Sequence, residues 1–218
     1  MSNPFHNELK KEFQLERMIL FSDAVFAIAI TLLALEIKVP EIDKHIVTDH
    51  MLLEKLDELI PKFIGFLVSF FVIGIYWMSH HRMFGFVINY TPRLLWLNLF
   101  FLLAVVLMPF SSAFYSEYLI RRLVTPMVMY VANVIFLGVM NLLLWNYIAN
   151  PKYNLSEGIS RQMSRYYRFR ALVPIAIFTL LSVLYLINPF WATLLPLLIA
   201  PVIRLIRRYF LKSQTVKQ

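Results

Sequence analysis

The sequence predicts an all-α protein that crosses a membrane six times, and three observations carry that reading. Of its 218 residues 60% are apolar and only 16% are charged, a balance that does not suit a water-facing surface. The apolar residues gather into stretches of about 20, the length an α-helix needs to cross a hydrocarbon core of about 30 Å. Nineteen Phe, 11 Tyr and 4 Trp stand beside only 5 Gly, which favours long helices over the short alternating strands and turns of a barrel.

The elements follow in order. Residues 1–18 alternate acidic and basic side chains and hold no apolar run ending in a small-residue cleavage site, so they read as a cytoplasmic lead-in and not a signal peptide. The predicted spans run from Ile19 to Ile37, Leu59 to Ser79, Leu94 to Tyr115, Val124 to Ile148, Ala171 to Asn188 and Phe190 to Ile206. Residues 38–58 form the outer loop, where Leu52, Leu53 and Leu56, continuing into Leu59 and Ile60, predict a short amphipathic helix. Between the fourth and fifth spans, Arg161, Arg165 and Arg168 recur at helical spacing, either as a solvated helix face or as a surface for anionic headgroups. Pro189 lacks an amide donor and disfavours helix at Asn188, so a tight re-entry turn separates the last two spans. Residues 207–218 are a cytoplasmic tail, and residues 1–218 make one six-helix domain.

Charge sets the orientation. In the six-span arrangement 15 of the 21 Lys and Arg fall on the side of both termini and six on the other, so both ends are expected in the cytoplasm. Fusing the last two spans would force the basic C-terminal cluster outside. Membrane orientation therefore accounts for the net charge of +8, and no basic, aromatic-interleaved surface stands apart from the apolar runs to suggest nucleic acid. The absence of Cys removes disulfides and thiol chemistry. No HExxH, GxSxG or Gly-rich phosphate loop occurs, which argues against an enzyme.

An ionised side chain in mid-span costs roughly 3 kcal/mol, so Asp23 requires a partner or a purpose. Arg17 lies six positions earlier, about 240° around the helix, and does not share its face. The second span returns to the same end at Trp77-Met78-Ser79-His80-His81-Arg82. A clamp in which Asp23 meets Arg82 or a histidine, with Ser22 joining, is the expected structural role; proton handling by the same groups is the alternative. A metal site is disfavoured because adjacent His80 and His81 diverge by about 100° on a helix.

Ile28, Thr31, Leu32 and Leu35 follow an i, i+3, i+4, i+7 pattern and so form one stripe along the first helix. Such a stripe is either a packing seam or, in a symmetric assembly, a stack of apolar rings with one hydroxyl ring, which can gate ions by dewetting. Ile28 and Leu35 would lie about 10.5 Å apart along the axis. Asn98, Asn133 and Asn141 read as hydrogen-bonding glue between helices.

Arg17-Met18-Ile19-Leu20-Phe21-Ser22-Asp23 resembles the RxxxFSD signature that opens the first helix in the potassium channels of the transmembrane protein 175 family, and WMSHHR at residues 77–82 is a second local match. With a single signature, the chain is similar to the bacterial members, which carry one six-helix unit, assemble as homotetramers and sit in the inner membrane. The resemblance implies a potassium-permeable cation channel without a pore loop, its central axis lined by the first helices. It places the apolar constriction on Ile28, a hydroxyl on Thr31, a further apolar ring on Leu35 and, as in some relatives, one on Leu32. It makes Arg17, Phe21, Ser22 and Asp23, with Trp77, His80, His81 and Arg82, the structural signature that holds the first helix to its neighbours. The partners it implies are potassium ions, the lipid bilayer and further copies of the chain, with no cofactor and no resident metal. No TVGYG-like stretch from which a carbonyl filter is built occurs in the chain. The residues alone leave open a secondary transporter or proton-coupled carrier, for which Pro109, Pro174 and Pro196 offer possible helix breaks.

Overall fold

The computed structural model describes residues 4–42, 45, 47–119 and 121–215. Residues 1–3 of the lead-in, 43, 44 and 46 of the outer loop, and 216–218 of the tail lie outside the described residues. Five long helices, α1 (Pro4–Leu35), α2 (Asp49–Phe84), α3 (Pro92–Glu117), α4 (Val124–Ile148) and α5 (Arg161–Ile187), are followed by short α6 (Pro189–Leu194), a 3-10 turn (Leu195–Leu198) and α7 (Ile199–Thr215). All five long helices are apolar and long enough to cross a membrane. This is a multi-pass helical membrane protein.

Local chemistry sets the helix starts. Thr48, Thr91 and Ser160 are extended N-caps whose hydroxyls accept from the amides of Met51, Leu94 and Met163 at 3.3, 3.2 and 3.1 Å. Pro92 opens α3 at a position where no amide donor is needed. Thr91 also meets the Tyr147 hydroxyl at 3.2 Å, tying the start of α3 to the end of α4.

Three expectations change at this level. The first helix begins at Pro4, so the described part of the lead-in continues the span as helix. The amphipathic segment around Leu52 and Leu56 is the opening of α2 itself, because Pro61 fails to end the helix and 36 residues run unbroken. The sixth span is not one helix: Asn188 is extended (φ −148°, ψ 101°) as expected before Pro189, but helix breaks again at Leu195–Leu198, where Pro196 lacks the amide an α-turn requires. Helices α3 and α5 continue through Pro109 and Pro174.

Helix α3 is the centre of the bundle, packing on α1, α2 and α4; α4 packs on α5, and α5 on α6 and α7. Close approach of α4 depends on Gly138, where an added Cβ would lie 2.6 Å from Ile175 Cγ1 and 2.9 Å from the Tyr76 hydroxyl. Buried polar side chains cross-link the apolar interior. Ser69 on α2 donates to Ser112 on α3 at 2.7 Å and lies 3.0 Å from the Tyr130 hydroxyl on α4. Asn133 donates to the Ala104 carbonyl and to Ser111 at 3.2 and 3.1 Å, whereas the buried Asn141 side-chain oxygen has no protein partner.

The α2–α3 and α4–α5 connections lie together. Val87 and Ser156 form an antiparallel bridge, Ile88 N–H donates to the Leu155 carbonyl at 2.9 Å, and Glu157 N–H donates to the Phe86 carbonyl at 3.0 Å. Gln162 donates to the Phe210 carbonyl at 2.9 Å, bringing α7 to the same end. At the opposite end, Lys62 pairs with Glu117 at 2.7 Å.

Candidate functional site

Helix α1 has two unlike faces, and the candidate residues divide between them. Met18, Ser22, Phe26, Ala29 and Leu33 are buried against the bundle. Their spacings of four, four, three and four keep them on one side of a helix. Arg17, Phe21, Ala24, Ile28, Thr31 and Leu35 are all exposed on the other side. Their alternating spacing of four and three is the 3.5-residue repeat by which helices pack along a common axis.

The buried face carries a directed hydrogen-bond chain. The Ser22 hydroxyl donates to the Met18 carbonyl at 2.8 Å and accepts from the Asn98 amide at 2.9 Å. The Asn98 oxygen then faces His80 Nε2 at 2.9 Å. That oxygen only accepts, so Nε2 carries the proton and donates. Ser22, His80 and Asn98 are each wholly buried. The imidazole lies between aromatic rings, 4.2 Å from Phe84 and 5.6 Å from Phe101, and its Nδ1 has no hydrogen-bond partner. Three helices are thereby joined at one level, by a residue from each.

Asp23 sits beside this chain. Its partner is the Trp77 indole, which donates to the carboxylate at 2.9 Å, instead of Arg82 or a histidine as expected. The reason is geometric: His80 faces inward to Asn98, while His81 and Arg82, one and two places on, are exposed. His81 lies over Trp77 at 5.8 Å. Among the described residues no group of three His, Cys, Asp or Glu could hold a metal ion. Arg17 and Phe21 do not join the clamp within the protomer. Both are exposed, and Arg17 lies 5.5 Å over the Phe13 ring. Asn98, expected from its place in an apolar run to be hydrogen-bonding glue between helices, is the amide that joins Ser22 on α1 to His80 on α2.

The stripe predicted from spacing lies on the open face. Ile28 is 58% exposed, Leu32 40% and Leu35 72%. Thr31 donates its hydroxyl hydrogen to the Ile28 carbonyl at 2.8 Å, which satisfies the donor and leaves the oxygen free to accept or to meet a cation. Among the described residues nothing covers this face, whereas the buried face of α1 is turned to α2 and α3.

Similarity to known proteins falls on the same region. The family model of the endosomal/lysosomal potassium channel TMEM175 matches residues 17–109, which include both faces of α1 and all members of the clamp. A potassium channel from Chamaesiphon minutus is 36% identical over 171 residues, covering 74% of this chain and 81% of that protein. A potassium channel from Streptomyces collinus is 44% identical over 99 residues, so the match spans 45% of this chain and 46% of that protein. Among solved structures, a lysosomal potassium-selective channel TMEM175 homolog from Chamaesiphon minutus superposes with a TM-score of 0.72 at 30% identity, over 88% of this chain and 97% of that one.

Proposed function

Because the chain belongs to the TMEM175 potassium channel family, we propose that it is a potassium-permeable cation channel whose pore is lined by the α1 helices of a homotetramer. The pore has no pore loop and narrows at an apolar constriction formed by Ile28. Potassium ions pass Thr31, whose hydroxyl oxygen faces the axis, and a further ring at Leu35, with Leu32 beside it. The assembly works in the bacterial inner membrane with both termini in the cytoplasm.

One observation supports this reading above the others: the six-residue stripe from Arg17 to Leu35 is exposed in the protomer at a heptad-like spacing, while the opposite face of α1 is fixed to α2 and α3 by Ser22, Asn98, His80 and the Asp23–Trp77 bond. A lining helix needs both properties. Its outer side must be held rigidly, and its inner side must be left for symmetry-related copies and the ion. An apolar ring conducts only when it hydrates, so the Ile28 ring would set the barrier. Ion-pairing acids are not used in this scheme: Asp23 is engaged by the Trp77 indole on the side of the helix away from the stripe. The midplane-site carrier alternative finds less support: α3 and α5 run unbroken through Pro109 and Pro174, so that of its three candidate breaks only Pro196, in the 3-10 turn between α6 and α7, interrupts a helix.

Reconstitution into planar bilayers tests the assignment. Replacing Ile28 with Asn hydrates the ring and should raise single-channel conductance or lower potassium over sodium preference. Currents identical to wild type in amplitude and reversal potential would remove Ile28 from the constriction.

A further inference from the structure

A groove of about 790 Å³ separates the first turns of α5 from α7, within the size range of specific small-molecule sites. Its walls change character along their length. Arg161, Arg165 and Phe169 line it from α5 at successive i, i+4 positions, so the wall passes from two cations to an aromatic ring over about 12 Å. Leu205, Tyr209 and Phe210 line it from α7. Because α7 runs back along α5, Tyr209 stands at the cationic end and Leu205 at the apolar end.

The groove is a built feature. Gln162 donates to the Phe210 carbonyl at 2.9 Å, and the Phe210 ring lies 5.7 Å from Tyr166 and 5.8 Å from Phe169. Ile199 is buried, and Val202, Ile203 and Ile206 pack on the core, which turns the exposed Arg204, Arg207 and Arg208 outward. Among the described residues neither Arg161 nor Arg165 has an ion-pair partner, and no acid lines the groove. Two unpaired guanidinium groups one helical turn apart match the oxygens of a phosphodiester. A free anion would leave Phe169 and Leu205 uncovered, whereas a lipid supplies both the charge and the chain.

We propose that this groove binds an anionic phospholipid, with its phosphate held between Arg161 and Arg165 and an acyl chain lying along Phe169 and Leu205. The site would hold α7 against α5 at the membrane boundary, where basic pockets between helices meet anionic headgroups.

Native mass spectrometry of the full-length protein, delipidated in detergent, tests this with phosphatidylglycerol, phosphatidylcholine and water-soluble glycerophosphoglycerol. Phosphatidylglycerol should be retained in preference to phosphatidylcholine, and Arg161→Gln with Arg165→Gln should weaken it by about 25-fold, about fivefold per charge. Arg121→Gln with Arg122→Gln, at the other end of the bundle, should leave retention unchanged. Phe169→Ala should weaken the lipid and not the soluble headgroup, which separates chain from phosphate recognition. Equal retention of both lipids, unaltered retention in the Arg161/Arg165 variant, or glycerophosphoglycerol competing as well as the lipid would overturn the proposal. Circular dichroism on each variant, with unchanged melting, establishes that lost binding is not lost folding.

Discussion

Asn98 has both of its polar atoms committed, one to His80 on α2 and one to Ser22 on α1, in a place where no water replaces them. Leucine at that position would leave the His80 Nε2–H group buried and unpaired. Asn98→Leu should therefore destabilise the protein by about 1–3 kcal/mol, measured as lowered thermal stability in detergent. Asp23 behaves differently, because its partner is a neutral indole and an amide oxygen still accepts from it. Asp23→Asn should cost less than about 1 kcal/mol in the same assay, and Asp23→Ala more. If Asn and Ala were equally harmful, the charge and not the hydrogen bond would be what matters there. The sequence marked Ser22, Asp23, Trp77 and His80 as a group because they fall at one depth on antiparallel spans. It did not reveal which pairs form, since that depends on rotations about two helix axes that only packing against Phe84 and Phe101 determines.

At the scale of elements, the apolar runs located five of the helices, because burying twenty residues of backbone in lipid leaves few alternatives to a helix. Their ends were less legible. Hydropathy stops at the membrane surface, but backbone hydrogen bonding does not, so α1 extends back to Pro4 and α2 takes in the amphipathic segment ahead of Pro61. The sixth apolar run lies where its composition places it but is not regular α-helix throughout: α6 and α7 are joined by a 3-10 turn at Leu195–Leu198, where Pro196 removes one amide from the hydrogen-bond ladder. Helix spacing yields a further test. Gly138 lets α4 approach Ile175 and Tyr76, and its Cβ position is already filled to 2.6 Å. Gly138→Ala should cost about 1–3 kcal/mol through overpacking, seen as a lowered melting temperature. Gly74→Ala, where nothing lies within 4 Å of the added carbon, is the matched control and should not destabilise.

Over the whole molecule, we propose from the Lys and Arg excess that both termini face the cytoplasm. The structure brings the α2–α3 connection, the α4–α5 connection and the end of α7 together at one end of the bundle, the end that this orientation would place inside. A fluorescent protein fused to the C-terminus should therefore mature and emit in the cytoplasm of a bacterial host; a dark, exported fusion would reverse the orientation. The proposed pore makes the sharper demand, because it assigns the two faces of α1 to different environments. The chain contains no Cys, so single cysteines report without background. Single-channel recording with a cationic thiol reagent, applied to cysteine variants along α1, reads that division directly. The account predicts block at 28, 31 and 35 and no block at 26, 29 and 33, which are buried against α2 and α3. Block at the buried positions, or unaffected current with cysteine at 28, would contradict a pore lined by this helix.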